Sequence, residues 1–391
     1  MTKLATTWLV YRLTGSPLLV GIVAWAGLFP TFVLAPFAGV WMDRFDRRSL
    51  LLWTQIAAAV QSLLMAVLTL AGVITLGEIM TLALLQGVIN AFDMPARQTF
   101  LVQMIEERHD LSNAIAINSS MVNAARLVGP ALAGLLIGII GEGGCFLIDG
   151  ISYVAVIMSL IMMRVTPLET EGPVASMLEQ TREGWHYVRT FRPVRSILLL
   201  SCLVSFVGYP YTVLLPVIAR EVFAGGGPTL GLLTGAAGLG ALISALSLAA
   251  RRTVVGLTRN LQAGATTLGA GLVLFGLSKT LWLSLPLMAV VGFGLMQTLA
   301  VANTIIQTLV PENKRGRVMS YYTMALFGAA PFGSLVTGAL ADRVGAPLTF
   351  VAAGLASLAA AVWFRVELPK VRAVMRPIYQ DMGLLPVREI D

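Results

Sequence analysis

The chain contains eleven stretches of apolar residues, each long enough to cross a membrane as a helix. A helix needs about 20 predominantly apolar residues to span the hydrocarbon core of a bilayer. We therefore predict an all-α membrane protein. The predicted crossings are 17–41, 50–74, 79–100, 113–140, 144–163, 196–219, 229–250, 260–277, 281–309, 319–341 and 346–364.

A shorter apolar run, residues 4–13, precedes these crossings and covers about half of a bilayer. We interpret it as the second half of a helix whose beginning is missing from the sequence. With this first helix the chain has twelve. The alternative is a short segment that lies at the membrane interface.

Composition excludes several classes of protein. The chain is 57% hydrophobic and 12% charged, whereas soluble domains carry about 25% charged residues. So few charges exclude a cytosolic enzyme and a disordered protein. Two cysteines, Cys145 and Cys202, both in apolar runs, exclude a disulfide scaffold.

The basic residues predict how the chain is oriented. A net charge of +7 would favour a nucleic-acid partner in a soluble protein, but membrane proteins concentrate Lys and Arg in their cytoplasmic loops. We predict a multi-pass protein of the cell inner membrane with both termini cytoplasmic, and no nucleic-acid partner. This orientation leaves few basic residues elsewhere, namely Arg12, Arg220, Lys279 and Arg343 outside and Arg126 within a helix.

One long polar interruption divides the chain into two halves of six helices. We predict an N-terminal bundle at 1–165, a cytoplasmic linker at 166–195, a C-terminal bundle at 196–365 and a cytoplasmic tail at 366–391 with little fixed structure. Apolar residues at helical spacing in the linker predict an amphipathic helix on the membrane surface. They are Val174, Met177, Leu178, Trp185 and Val188.

Short internal repeats support two pseudo-symmetric bundles. Residues 39–44, GVWMDR, are echoed by residues 338–343, GALADR, on the opposite predicted face of the membrane. Inverted repeats nested in a duplicated chain are typical of secondary transporters.

The chain lacks the usual motifs of enzymes and ATPases. It has no Gly-Lys dipeptide, and hence no phosphate-binding loop of the Walker type. His109 and His186 are far apart in sequence, and no His and Cys cluster has the spacing of a metal site. We expect neither enzyme activity, nor a cofactor or metal, nor ATP binding. Uphill transport would then need an ion gradient.

Polar residues recur on one side of the fourth helix. Gln86, Asn90, Asp93 and Arg97 are spaced i, i+4, i+7 and i+11, which places them within an arc of ~60°. Polar groups inside a membrane usually face a cavity or each other. The stripe predicts a substrate cavity, with hydrogen bonding between helices as the alternative.

Further cavity residues are predicted on two other helices. Ser119, Asn123 and Arg126 repeat the pattern on the fifth helix, and an arginine at that depth needs an anionic partner or a wet cavity, or else acts as a structural clamp. Gln297 and Thr304 on the tenth helix complete the predicted cavity.

Two carboxylates are candidates for proton coupling, Asp149 and Asp93. Asp149 lies about 10 Å below the outer face, near the depth of Arg12 at the end of the first helix. We therefore expect an Arg12–Asp149 pair, with Asp149 available for protonation where the pair is broken.

Charged residues also cluster at the predicted cytoplasmic ends of the second and fourth helices. Asp43, Arg44, Arg47 and Arg48 can form a network with Asp93 that biases a gate. Anchoring by the arginines alone is the alternative.

Small residues and prolines predict close packing and bends. Gly129, Pro130 and Gly134 on the fifth helix would allow close helix contact and a kink, and Gly231 and Gly235 open the eighth helix. Kinks are also expected at Pro210 and Pro331.

Several of these motifs resemble those of the major facilitator superfamily. Residues 39–48, GVWMDRFDRR, resemble its loop signature between helices 2 and 3, although Asp46 stands where the pattern has glycine. Residues 126–134, RLVGPALAG, resemble the helix 5 signature of exporting members, with Ala133 in place of one glycine. Other phrases are similar to the bacterial branch that contains the enterobactin exporter and macrolide efflux proteins. They are WLVYRLTGSP from 8, DMPARQ from 93, FLID from 146, YPYTVLLP from 209 and RGRVMS from 315.

The resemblance implies twelve helices, alternating access and proton-driven export across the cytoplasmic membrane. It implies that helices 1, 4, 7 and 10 line the cavity. It also implies a cytoplasmic gate at Asp43, Arg44 and Arg47, with Asp93 as a partner for Arg47, and a first helix that begins earlier than Met1.

The leading hypothesis is a secondary active exporter that exchanges protons for a small amphiphilic molecule, such as a siderophore or a drug. An importer or a lipid flippase on the same fold is one alternative. A membrane receptor or scaffold that transports nothing is another, and it would not need the polar stripes.

Overall fold

The computed structural model describes residues 1–42, 46–104, 111–163, 177–251 and 253–382. Every regular element in these ranges is helical. The helices are α1 (Thr2–Thr14), α2 (Pro17–Met42), α3 (Arg47–Leu70), α4 (Leu76–Gln103), α5 (Leu111–Met162), α6 (Met177–Thr190), α7 (Arg192–Leu203), α8 (Tyr211–Glu221), α9 (Gly227–Ala249), α10 (Leu257–Leu277), α11 (Leu281–Leu309), α12 (Glu312–Val344) and α13 (Ala346–Asp381).

The predicted crossings lie in these helices. In the described ranges, nine helical segments are long and apolar enough to span a membrane. One of them belongs to α5, which is divided at Gly141, where φ is 72° and ψ is 178°. This positive-φ, extended conformation is accessible essentially only to glycine, and it separates two predicted crossings. Another joins α7 to α8 through a π-helical turn, Val204–Gly208.

Local chemistry fixes several helix ends. Gly15 ends α1 with φ at 63°, and its N–H donates to the carbonyl oxygen of Tyr11 at 2.9 Å. Asp46 caps α3, because its carboxylate accepts hydrogen bonds from the N–H of Ser49 at 2.9 Å and from the Ser49 hydroxyl at 2.7 Å. Arg48 donates to the carbonyl oxygens of Leu160 and Ile161, at 2.8 and 2.7 Å, and so satisfies the last turn of α5.

The chain forms two compact units. The first comprises the described parts of Met1–Gly172 together with Thr212–Gly235 and Ser334–Arg343. The second comprises those of Pro173–Tyr211, Ala236–Gly333 and Val344–Asp391. The predicted boundaries at 165 and 196 place Thr212–Gly235 and Ser334–Arg343 in the C-terminal bundle, whereas these two segments pack with the first unit. The pseudo-symmetric bundles defined by those boundaries remain a prediction.

Close backbone contacts hold these two segments in the first unit. A Cβ atom added to Gly134 would lie 2.2 Å from the Cα of Gly231. One added to Gly21 would lie 2.6 Å from the carbonyl oxygen of Ser334 and 3.2 Å from the Cα of Gly338. Only glycine permits these approaches, so α5 meets α9, and α2 meets α12, backbone to backbone.

In the second unit, α10 packs against α11 and α13. The rings of Phe275 and Phe350 meet edge to face at 4.8 Å in this core.

The linker contains a helix, α6, in the described range Met177–Thr190. Val174 of the predicted amphipathic helix lies outside the described residues, and the position of that helix on the membrane surface stays a prediction. The Trp185 ring of α6 lies 5.8 Å from that of Tyr321, and Glu183 pairs with Arg317, so α6 packs against α12.

The tail differs from the expectation of little fixed structure. Helix α13 continues to Asp381 and buries Leu368, Val371, Met375 and Tyr379, which recur at helical spacing. Glu367 accepts from Arg192 at 2.6 Å, which ties the extension to α7. Buried apolar side chains and this ion pair stabilise the helix despite Pro369 and Pro377.

Candidate functional site

A cavity of about 320 Å³ lies within the first unit, between α1, α2, α3, α4 and the part of α5 after Gly141. Most of its wall is apolar, with contributions from Val23, Leu28, Met65 and Ile79. Its polar lining consists of Thr2, Lys3, Thr6, Thr7, Gln61, Gln86, Asn90, Asp149 and Tyr153. Cavities of this size with mostly apolar walls and a few polar groups are typical of sites for small molecules.

The polar stripe of α4 divides into two parts. Gln86 and Asn90 line the cavity, and the amide nitrogen of Gln86 donates to the side-chain oxygen of Asn90 at 3.0 Å. Asp93 and Arg97 lie one and two turns further along and do not line it.

Asp93 instead joins α4 to α3. Its Oδ1 accepts hydrogen bonds from Thr54 at 3.1 Å and Gln55 at 2.5 Å. Its Oδ2 accepts from Arg97 at 3.0 Å. For Asp93 the alternative interpretation of the stripe, hydrogen bonding between helices, therefore fits. Its partners among the described residues are Thr54, Gln55 and Arg97, and not Arg47.

Several predicted site residues lie outside what the structure describes. Asp43 and Arg44 of the predicted gate fall between the described ranges. Ser119, Asn123 and Arg126 lie on α5, but their side chains are outside the described set. Arg47 begins α3 half-buried, and Arg48 binds the end of α5. The cytoplasmic gate stays a prediction.

Asp149 lies in the cavity wall, on α5. Its Oδ2 accepts a hydrogen bond from the hydroxyl of Ser62 at 3.1 Å, and the same hydroxyl lies 3.0 Å from the carbonyl oxygen of Phe146. Tyr153, one turn further along α5, also lines the cavity.

Arg12 pairs with Glu142 and not with Asp149, the partner expected from the sequence. The Nε of Arg12 lies 2.7 Å from the Oε1 of Glu142, which is 7% exposed. Glu142 directly follows the turn at Gly141, whereas Asp149 lies two turns deeper along the helix. The sequence prediction matched Arg12 to the depth of Asp149 and overlooked the acid in the turn.

Two more carboxylates bind the same end of α1. The Tyr11 hydroxyl donates to Glu221 at the end of α8, and the Ser16 hydroxyl donates to Asp342 near the end of α12 at 3.0 Å. Arg220 lies 6.0 Å from the centre of the Tyr11 ring. Residues 11–16 thus contact three acids from three different helix ends.

The sequence did not predict four residues of these contacts, namely Gln61, Tyr153, Glu142 and Glu221. Gln55, Gln61 and Ser62 in the otherwise apolar α3 were the available signal for a polar lining on that helix. No comparable signal pointed to Glu142 or Glu221, because each lies near a predicted loop.

Gln297 and Thr304 belong to the second unit. Gln297 is buried, and its oxygen accepts from the Ser244 hydroxyl at 2.8 Å, which joins α11 to α9. Thr304 lines a separate cavity of about 460 Å³, beside Arg251 and Leu257. Neither residue lines the cavity of the first unit. Among the described residues, no cluster of His, Cys, Asp or Glu could hold a metal ion.

Known proteins share both the sequence pattern and the fold. Residues 1–382 match the family described as transmembrane secretion effector. The multidrug efflux pump Tap of Mycolicibacterium fortuitum is 28% identical over 386 residues, which cover 95% of this chain and 92% of that protein. The staphyloferrin A transporter of Staphylococcus aureus is 26% identical over 361 residues, which cover 91% and 89%. The crystal structure of the nucleoside transporter NupG superposes with a TM-score of 0.72 over 94% of each chain at 11% identity.

Proposed function

We propose that this chain, which belongs to the transmembrane secretion effector family of major facilitator transporters, exports a small amphiphilic molecule in exchange for protons. The chain is a multi-pass membrane transporter and not an enzyme. The efflux and siderophore-transport activities of the relatives support export of a drug-like or siderophore-like cargo.

The cavity in the first unit is the observation that carries the proposal. Its volume of about 320 Å³ suits a small molecule or one end of a larger one. Its walls combine apolar side chains with Gln86, Asn90 and Asp149, so an amphiphile can place its apolar part and its polar part in one site.

Asp149 supports proton coupling. A carboxylate in a mostly apolar wall costs free energy when it is charged, and a proton or a cation removes that cost. The Ser62 hydroxyl can donate to a carboxylate or accept from a carboxylic acid, and we propose Asp149 as the residue that couples export to protons. Asp93 already accepts from three donors, which makes it the weaker candidate.

The glycine contacts support alternating access. Gly134 meets Gly231, and Gly21 meets Ser334 and Gly338, without intervening side chains. We propose that these contacts close the outer end of the transport path, and that both termini face the cytoplasm. The contacts would part when the cargo leaves.

Everted membrane vesicles test the proposal. With ethidium as an amphiphilic probe, wild-type vesicles should accumulate the dye only while an imposed proton gradient is present, and the dye should speed the collapse of that gradient. Asp149→Asn should abolish both effects, while Glu367→Gln, a partly buried acid of the second unit, should leave them unchanged.

Two results would reject parts of the proposal. Ethidium uptake driven by a gradient into right-side-out vesicles would indicate an importer. A fully inserted wild-type protein that moves neither ethidium nor protons would contradict proton-coupled export of amphiphilic cations.

A further inference from the structure

Gln61 carries a buried acceptor that nothing in the described structure satisfies. The side chain is 3% exposed, and its amide nitrogen donates to the carbonyl oxygen of Leu82 at 3.3 Å. Its Oε1 has no hydrogen-bond partner among the described residues. An unsatisfied buried acceptor costs about 1–3 kcal/mol, and a small rotation about the soft terminal torsion would present it to the cavity that Gln61 lines.

Asp149 supplies a second acceptor beside it. Ser62, the residue after Gln61, bonds the Oδ2 of Asp149 at 3.1 Å, and Gln61 and Asp149 both line this cavity. An ionised carboxylate only accepts hydrogen bonds. The aromatic ring of Tyr153 lies one turn from Asp149 in the same lining, and aromatic rings attract cations.

We propose that Gln61, Asp149 and Tyr153 form a subsite for the protonated primary or secondary amine of the cargo. This inference rests on the proposed function only in treating the cavity as the cargo site. An ammonium group carries both the charge that Asp149 requires and an N–H that can satisfy Gln61. A quaternary ammonium carries the charge alone, and an anionic group meets two acceptors and a negative charge.

Lys3 and the N-terminal ammonium group of Met1 are the other charged groups of the lining, and both residues are exposed. Solvent screens an exposed charge more strongly than a buried one. Asp149 is less exposed than either of them and is therefore the least screened charge of the lining.

Binding of three matched probes to the purified full-length protein in detergent tests the subsite. The probes are 4-phenylbutylamine, its N,N,N-trimethyl derivative and its neutral N-acetyl derivative. Titration calorimetry should show the amine binding at least tenfold more tightly than the acetyl derivative and several-fold more tightly than the trimethyl derivative.

Two variants separate the contributions of charge and hydrogen bonding. Asp149→Asn should weaken binding of both cations at least tenfold and leave the acetyl derivative unchanged. Gln61→Met should remove the preference for the amine over the trimethyl derivative. Glu367→Gln and Gln262→Met, in the second unit, are the matched controls and should bind all three probes as wild type does.

The opposite pattern would overturn the subsite. An unchanged amine affinity in Asp149→Asn, or tighter binding of 4-phenylbutyrate than of the amine, contradicts it. Should Asp149→Asn fail to insert, a retained amine preference in Gln61→Met is sufficient to reject it. Binding is measured without a gradient, so the two proposals can fail separately. If the protein prefers the amine but moves no protons, only the proton coupling is refuted. If it transports with a gradient but has no preference for the amine, only the subsite is refuted.

Discussion

Asp46 shows how one residue can depart from a family pattern for a structural reason. The major facilitator loop pattern has glycine at this position, whereas here the carboxylate caps α3 through both the N–H and the hydroxyl of Ser49. Burial alone would raise the pKa of Asp46, but hydrogen bonds from Ser49 and Arg48 and the charge of Arg48 together lower it below its ordinary value. The capped helix therefore favours the ionised carboxylate.

Replacing this cap should destabilise the protein in a pH-dependent way. Asp46→Ala should cost about 1 kcal/mol, and Asp46→Asn less, because asparagine also caps helices. Since the folded-state pKa is lowered, the charge-dependent stabilisation is present above the unfolded-state pKa, about 3.9, and is lost as pH falls through the folded-state value.

Thermal unfolding of the purified variants from pH 7 to pH 3 measures this effect. The difference between wild type and Asp46→Asn should shrink at the acid end. A constant difference across the range would assign the stabilisation to cap geometry alone.

The candidate site was predictable from the sequence only in part, and particular residues show why. Gln86 and Asn90 have the helical spacing of a polar stripe, and the structure places both in the cavity wall. Asp93 shares that stripe, yet it bonds Thr54 and Gln55, because the stripe of one helix does not reveal where a neighbouring helix approaches. Gln61 lies beside Ser62 and near Gln55 in an otherwise apolar part of α3, a polar signal that did not enter the predicted cavity.

At the scale of the elements, the contact between α5 and α9 depends on the absence of side chains. A Cβ on Gly134 would lie 2.2 Å from the Cα of Gly231, whereas one on Gly129 would have nothing within 4 Å. Gly134→Ala must therefore push the helices apart, while Gly129→Ala can be accommodated in place.

A cysteine pair reports this separation. A Cβ on Gly235 would lie 3.3 Å from that of Ala131, close to disulfide geometry. With Cys145 and Cys202 replaced by serine, Ala131→Cys with Gly235→Cys should cross-link efficiently on mild oxidation.

Adding Gly134→Ala should reduce the yield of this cross-link at least several-fold, and adding Gly129→Ala should not. Equal yields in both backgrounds would show that the helices tolerate a methyl group at their closest point. Gel mobility before and after reduction measures the yield.

The sequence predicts the presence of the helices more reliably than the residues at which they end. The apolar runs identify the crossings because a helix inside the hydrocarbon core needs apolar side chains over its whole length. The extension of α13 was not predicted because the tail carries Lys370, Arg372, Arg376 and Pro377, whereas Val371 and Met375 are buried and stabilise its continuation. At such positions tertiary packing outweighs a low helix propensity and the presence of helix-breaking residues.

At the scale of the whole molecule, the distribution of basic residues predicts the orientation. Arg251 and Lys279 are both exposed and lie just beyond opposite ends of α10. The predicted topology places the first in the cytoplasm and the second outside.

Cysteine labelling of intact cells tests the orientation directly. In a chain with Cys145 and Cys202 replaced by serine, a membrane-impermeant maleimide should label Lys279→Cys in intact cells. It should label Arg251→Cys only after the membrane is permeabilised. The reverse pattern would place both termini outside and reverse the assignment of the α1 end to the outer face.

The backbone contacts of Gly134 with Gly231, and of Gly21 with Gly338, affect how fast the paired helices can separate. Where two helices touch without side chains, they can part and meet again without any rotamer change, and parting loses only weak dispersion contacts. If these contacts open in the alternating-access cycle that we propose, the motion of whole helices would limit the opening, and no interdigitated side chains would have to repack at these points.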